Sequence, residues 1–113
     1  MPAAYQEIYL EQGTTFNTQV TLDDNTGLPF NLTGFTVSSE ARKSYQSANA
    51  EIVFQSSIID ANNGIIQLSA NNSVTANVYA NKLVYDVIII QTSTGNVTRV
   101  LEGVIYVSPS VTR

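Results

Sequence analysis

"LVYDVIIIQTSTGNVTRVLEGVIYV", Leu83 to Val107, is the stretch whose reading decides the fold. Two apolar runs flank a polar segment around Thr94-Gly95-Asn96, and both alternate with a period of two. Strand, glycine-bearing turn, strand: the pattern is a β-hairpin. With a three-residue loop, Leu83, Tyr85, Val87 and Ile89 share one face with Leu101, Ile105 and Val107, and that set is the expected core. The opposite face then carries Val84, Ile88, Ile90, Val100, Val104 and Tyr106, interrupted by Asp86 and Glu102. A two-residue loop shifts the register by one and mixes the two sets less cleanly, but still leaves apolar residues on both sides. The second face is too apolar for a plain solvent face, because soluble monomers rarely expose large contiguous apolar patches. Either a loop or the N-terminal segment of the same chain covers it, or another polypeptide does. The low surface charge described below favours the second, which makes these six residues the expected protein–protein interface.

The rest of the chain repeats the alternation. In "TFNTQVTL", Phe16, Thr18, Val20 and Leu22 share a face; in "GFTVSSEAR", Phe35, Val37, Ser39 and Ala41 do. "EIVFQSSII" puts Ile52, Phe54, Ser56 and Ile58 on one side, and "GIIQLS" turns Ile66 and Leu68 inward. Strands with one wet face are the habit of antiparallel sheets. The intervening "DDNTG", "DANNG" and "STGN" combine Asp, Asn or Ser with Gly, residues that accept left-handed backbone or bond their own main chain. Between Ser69 and Val78 the alternation breaks; an Asn cap with Val74 and Val78 four apart predicts one short helical turn near residues 71–78. The expected fold is all-β: an immunoglobulin-like antiparallel β-sandwich of about seven strands, with a small barrel as the second choice. Residues 1–113 form a single domain. Residues 1–12 alternate weakly and serve either as an edge strand of their own sandwich or as an arm lent to a neighbour's sheet.

Composition narrows the function. The chain has 113 residues, 43% hydrophobic and only 12% charged, about half the usual charged share. Ser, Thr, Asn and Gln take the place of the charges, a surface suited to packing against other protein. A net charge of −4, with Arg42 and Lys43 the only adjacent basic pair, disfavours nucleic acid. There is no cysteine for a disulfide, thiolate nucleophile or thiolate metal site. There is no histidine either, which removes the commonest general base and metal ligand. The N-terminus lacks a basic segment and a long apolar core, and "LVYDVIII" is far too short to span a bilayer. A soluble chain, intracellular at synthesis and without a membrane anchor, is expected. The sequons at Asn31, Asn71 and Asn96 are what chance places in a chain this rich in Asn and Thr.

In "LDDNTGLPFNLTGFTV", Leu22 to Val37, Asp23, Asp24 and Asn25 offer oxygens to a cation. A calcium loop of the EF-hand type needs alternating acids and a Glu six residues after its Gly. Here the acids are adjacent and Thr33 stands in that place, so the segment reads as a corner between strands. Asp60 in "IDANNG" is a turn acid for the same reason. Serine chemistry lacks a base, since Lys43 and Lys82 are the only side-chain amines and histidine is missing. No glycine pattern matches a phosphate loop or dinucleotide fingerprint. Asp86 and Glu102 are the one acid pair expected to be close, and on neighbouring strands they read as surface acids rather than a glycosidase pair. No catalytic residue, cofactor or metal is expected, and the chain is not read as an enzyme.

Several stretches carry a resemblance: "EQGTTFNTQVTLDDNTGLPFNLTGFTVSSEARKSY", "NGIIQLS", "YDVIIIQ" and the terminal "GVIYVSPSVTR". Together they resemble small β-sandwich virion structural proteins of tailed bacteriophages, cyanophage proteins among them, and the N-terminal module of phage baseplate upper proteins. "LPFNLTGFTV", "YDV" and "SPSVTR" are the most specific parts, and none is a catalytic signature. The resemblance implies an adaptor, decoration or attachment piece in the tail, baseplate, neck or capsid surface, made in the host cytoplasm and resident in the virion. It also implies repetition by the particle's symmetry, with partners that are other copies and other virion proteins. Unlike the baseplate module, the chain has no shaft or receptor-binding domain after Arg113, which directs the expectation toward a connector or surface piece. The alternative is a carbohydrate- or host-receptor-binding module, with Tyr5, Tyr9, Tyr45, Tyr79 and Tyr106 as stacking rings for a host surface glycan. Core placement is the commoner fate of such tyrosines.

Overall fold

Alternating apolar residues leave each strand with one face to hide, and two sheets hide them against each other. The computed structural model describes residues 4–24, 26–109 and 111. Its strands are β1 (Ala4–Tyr5), β2 (Ile8–Glu11), β3 (Phe16–Thr21), β4 (Phe35–Arg42), β5 (Ile52–Val53), β6 (Gln55–Asp60), β7 (Ile65–Ala70), β8 (Lys82–Gln91) and β9 (Val97–Ser108). One helical turn, α1 (Asn72–Thr75), follows β7. The larger sheet runs β1-β9-β8-β4-β5, with β2 continuing β1 along β9; the smaller runs β3-β7-β6. This is the immunoglobulin-like sandwich expected from the sequence. One departure is the pairing of β1 and β2 with β9, which is parallel, because the first and last strands of the fold run side by side in the same direction.

The inward set of the hairpin is the core set of the sequence. Leu83, Tyr85, Val87, Ile89, Leu101, Ile105 and Val107 are buried together with Leu10, Leu32, Ile52, Ile66 and Leu68. Two local features differ and cancel. Gln91 accepts from the Gly95 amide at 2.7 Å and donates to Asn96 at 2.9 Å, so the hairpin closes over the four residues 92–95, not three. That loop alone would give the opposite parity. A bulge between Val87 and Ile88 restores it: Val87 faces Leu101, but Ile88 faces Arg99, leaving Val100 as the extra residue. Val100 is therefore turned inward beside Leu101 and only 2% exposed. Its placement on the outer face is corrected accordingly.

"EIVFQSS" is not one strand. Ile52 and Val53 pair with β4 in the larger sheet, and from Gln55 the chain pairs with β7 in the smaller one. The crossing occurs at Phe54, whose amide donates to the Ser39 carbonyl at 3.0 Å. Phe54 stays buried through the switch, which is why alternation conceals it. The helical turn is shorter than the 71–78 span: Val78 lies beyond it, buried, and Thr75 inside it donates its hydroxyl to the Thr14 carbonyl at 2.7 Å.

Residues 4–11 form the edge strand of their own sheet, in one continuous register with β9. At its midpoint the chain bends toward the interior, and the Gln6 carbonyl accepts from the buried Tyr85 hydroxyl at 2.8 Å. Gly103 makes the approach possible, because a Cβ there would run into the Gln6 carbonyl. Met1, Pro2 and Ala3 lie outside the described residues.

Candidate functional site

The outer face of the larger sheet is built by β1 and β2, β9, β8 and β4 in that lateral order. Residues paired across strands share a face, which fixes rows of side chains across the sheet. Val84 lies between Val104 and Arg42; Ile88 lies between Arg99 and Ser38; Ile90 lies between Val97 and Thr36. Val84, Ile88, Ile90 and Val104 are half-buried, and Tyr106 is exposed. Five of the six residues expected on the outer face are thus found there, and Val100 belongs to the core.

Between the apolar rows runs a charged one that the local pattern did not reveal. Glu102, Asp86 and Glu40 stand in direct cross-strand register on three successive strands. Like charges placed so repel. Two arginines answer them. Arg99, set at the bulge, reaches Asp86 at 3.3 Å through Nε and Glu102 at 3.2 Å through Nη1. Arg42 meets Glu40 at 2.7 Å through Nη2, while its Nη1 donates to the Ser47 carbonyl at 3.0 Å. The acids do not converge on a common point, and no group of three or more such ligands poised for a metal occurs among the described residues. An open concavity of about 310 Å³ is lined by Val84, Ile88 and Tyr45 together with the Arg42–Glu40 and Arg99–Asp86 ion pairs.

The face of the smaller sheet is chemically different. Its outward side chains include Asn17, Gln19 and Thr21 from β3, Gln67 and Ser69 from β7, and Gln55 and Ser57 from β6. All are uncharged, and the Gln67 amide donates to Asn17 at 2.7 Å.

"DDNTG" is a corner. Asp24 Oδ1 accepts from the Thr26 amide at 2.8 Å, the Thr26 hydroxyl at 2.6 Å and the Leu28 amide at 3.1 Å. Hydrogen bonds from the Thr26 side chain and amide hold its carboxyl below the ordinary value, outweighing desolvation. Gly27 takes the left-handed conformation at φ 84°, and Asp23 bridges to Pro29. Asp60 likewise closes the β6–β7 turn, accepting from the Asn63 side chain at 2.7 Å. Both acids are occupied with their own turns.

Tyr85 is in the core and Tyr106 on the outer face, as the alternation predicts, but Tyr5, Tyr9, Tyr45 and Tyr79 are exposed where core placement is the commoner expectation. Tyr9 stacks on Tyr106 with ring centroids 5.6 Å apart. The Tyr106 hydroxyl donates to Glu7 at 3.1 Å, and that bond, with the nearby carboxylate charge, raises its pKa above the ordinary value.

Compared with known proteins, the chain matches no family model and no curated sequence. No helix among the described residues is long and apolar enough to cross a membrane.

Proposed function

We propose that this chain is a non-enzymatic structural protein of a bacteriophage particle, an immunoglobulin-like adaptor or decoration module that assembles through the faces and edges of its sheets. The observation that carries the reading is the outer face of β8 and β9, where Val84, Ile88, Ile90 and Val104 remain half-buried. A second copy laid on that face would complete their burial. The resemblance of "LPFNLTGFTV", "YDV" and "SPSVTR" to virion sandwich proteins supplies the setting: tail, baseplate, neck or capsid surface. The smaller sheet's face, rich in amides and hydroxyls, supports it too, since such groups pack against protein without the cost of desolvating ions.

The test is a map of a phage particle whose genome encodes the chain. Density for this sandwich, repeated by the particle's symmetry and with the β8–β9 face against another chain, is the expected result. A purified particle in which mass spectrometry finds no copy of the chain overturns the proposal.

A further inference from the structure

Three of the surface tyrosines belong to one short strip at the free edge of the larger sheet. Tyr5 and Tyr9 pair with Glu102 and Tyr106 of β9, which places both on the outer face, and Glu7 between them reaches the Tyr106 hydroxyl. Tyr5 and Tyr9 are 63% and 74% exposed. Three residues lie between them, and four extended steps put their backbones about 13 Å apart. Glu7 stands between them, tied to the Tyr106 hydroxyl, and Tyr106 in turn backs the Tyr9 ring. Lys82 is the cross-strand neighbour of Tyr106 on its other side.

This arrangement has a definite chemistry. A tyrosine ring is a flat apolar surface with few rotatable bonds, so little freedom is lost when something lies on it. A pyranose offers the matching surface, a patch of C–H groups on one face and hydroxyls around its rim. A carboxylate has about four acceptor sites and an ammonium three donors, so Glu7 and Lys82 supply both partners a hydroxyl needs. The two tyrosines stand farther apart along the chain than one pyranose is wide, which selects an oligosaccharide over a single sugar. We propose that Tyr5 and Tyr9 bind successive rings of an oligosaccharide, with Glu7 and Lys82 hydrogen-bonding its hydroxyls and Tyr106 holding the Tyr9 ring and the Glu7 carboxylate in place. The strip adjoins the face proposed for self-association and shares Tyr106 with it, so light scattering accompanies each titration and keeps sugar binding distinct from self-association.

The full chain is presented to an array of chito-, cello-, malto- and xylo-oligosaccharides, and each hit is titrated by tyrosine emission, which no tryptophan obscures. Saturable binding to at least one of these is expected. Tyr5→Ala and Tyr9→Ala should each weaken it by roughly tenfold or more, while Tyr9→Phe and Tyr45→Ala hold it within about twofold. Absence of saturable binding up to millimolar sugar overturns the proposal, as does binding that Tyr5→Ala and Tyr9→Ala leave unchanged. Variants whose only effect is a change of mass in light scattering overturn it as well, since the strip is then a contact between copies.

Discussion

Tyr85 is the residue on which the interior and the edge strand meet. Its ring is buried, its hydroxyl bonds the Gln6 carbonyl, and burial pushes its pKa up to about 12. Tyr85→Phe leaves that carbonyl without its inward donor and is expected to cost roughly 1–2 kcal/mol in urea unfolding. The pH dependence follows from the raised value. The folded chain keeps the proton that the unfolded chain releases near 10, so the stabilisation is complete below pH 10 and lost as pH rises toward about 12. The wild-type urea midpoint should therefore fall more steeply across that window than the midpoint of Tyr85→Phe. Asp24 acts at the other end of the scale. Its carboxyl, held low by Thr26, supports the corner above the ordinary carboxyl range and ceases to do so as pH falls through its folded value. Asp24→Ala should lower the thermal midpoint at pH 7 and leave it nearly unchanged at acid pH.

The hairpin was legible as an element because inward residues alternate along both strands; its loop and bulge were not. Loop length and bulge each shift the pairing by one, and their effects cancel in the core set, so the apolar pattern reads the same with both or with neither. What singles out Val100 is non-local: Arg99 beside it is held by carboxylates of β8 and β9, and Val100 packs into a core supplied by both sheets. The switch at Phe54 was concealed in the same way, since Ile52, Phe54 and Ser56 keep alternating while the pairing partner changes from β4 to β7. Parallel pairing of β1 and β2 with β9 joins residues nearly a whole chain apart, and local periodicity has nothing to say about it. That pairing rests on Gly103. Gly103→Ala should push the Gln6 carbonyl away, cost roughly 2–3 kcal/mol and speed hydrogen exchange of the Ile8–Glu11 amides before that of β8. Unchanged exchange at Ile8–Glu11 would mean that the close approach is not what anchors the edge.

In the molecule as a whole, the outer faces of the two sheets differ in charge. Arg42, Lys82 and Arg99 lie on the outer side of the larger sheet with Glu40, Asp86 and Glu102, while the side chains named on the smaller sheet's face carry none. Sequence alternation located the apolar part of the candidate surface and five of its six residues. It could not show that β4 contributes Ser38, Glu40 and Arg42, because which strand lies beside β8 is decided by packing and not by any local pattern. It also misplaced Tyr5, Tyr9, Tyr45 and Tyr79 in favouring the core for them, a residue type that surfaces and interiors both accept. On the proposed function, the face bearing Val84, Ile88, Ile90 and Val104 is closed by another copy of the chain. Light scattering of the purified protein at micromolar concentration, beside Val104→Glu, reads this directly. A mass of two or more copies for the wild type and of one for Val104→Glu is expected; a monodisperse wild-type monomer would contradict it.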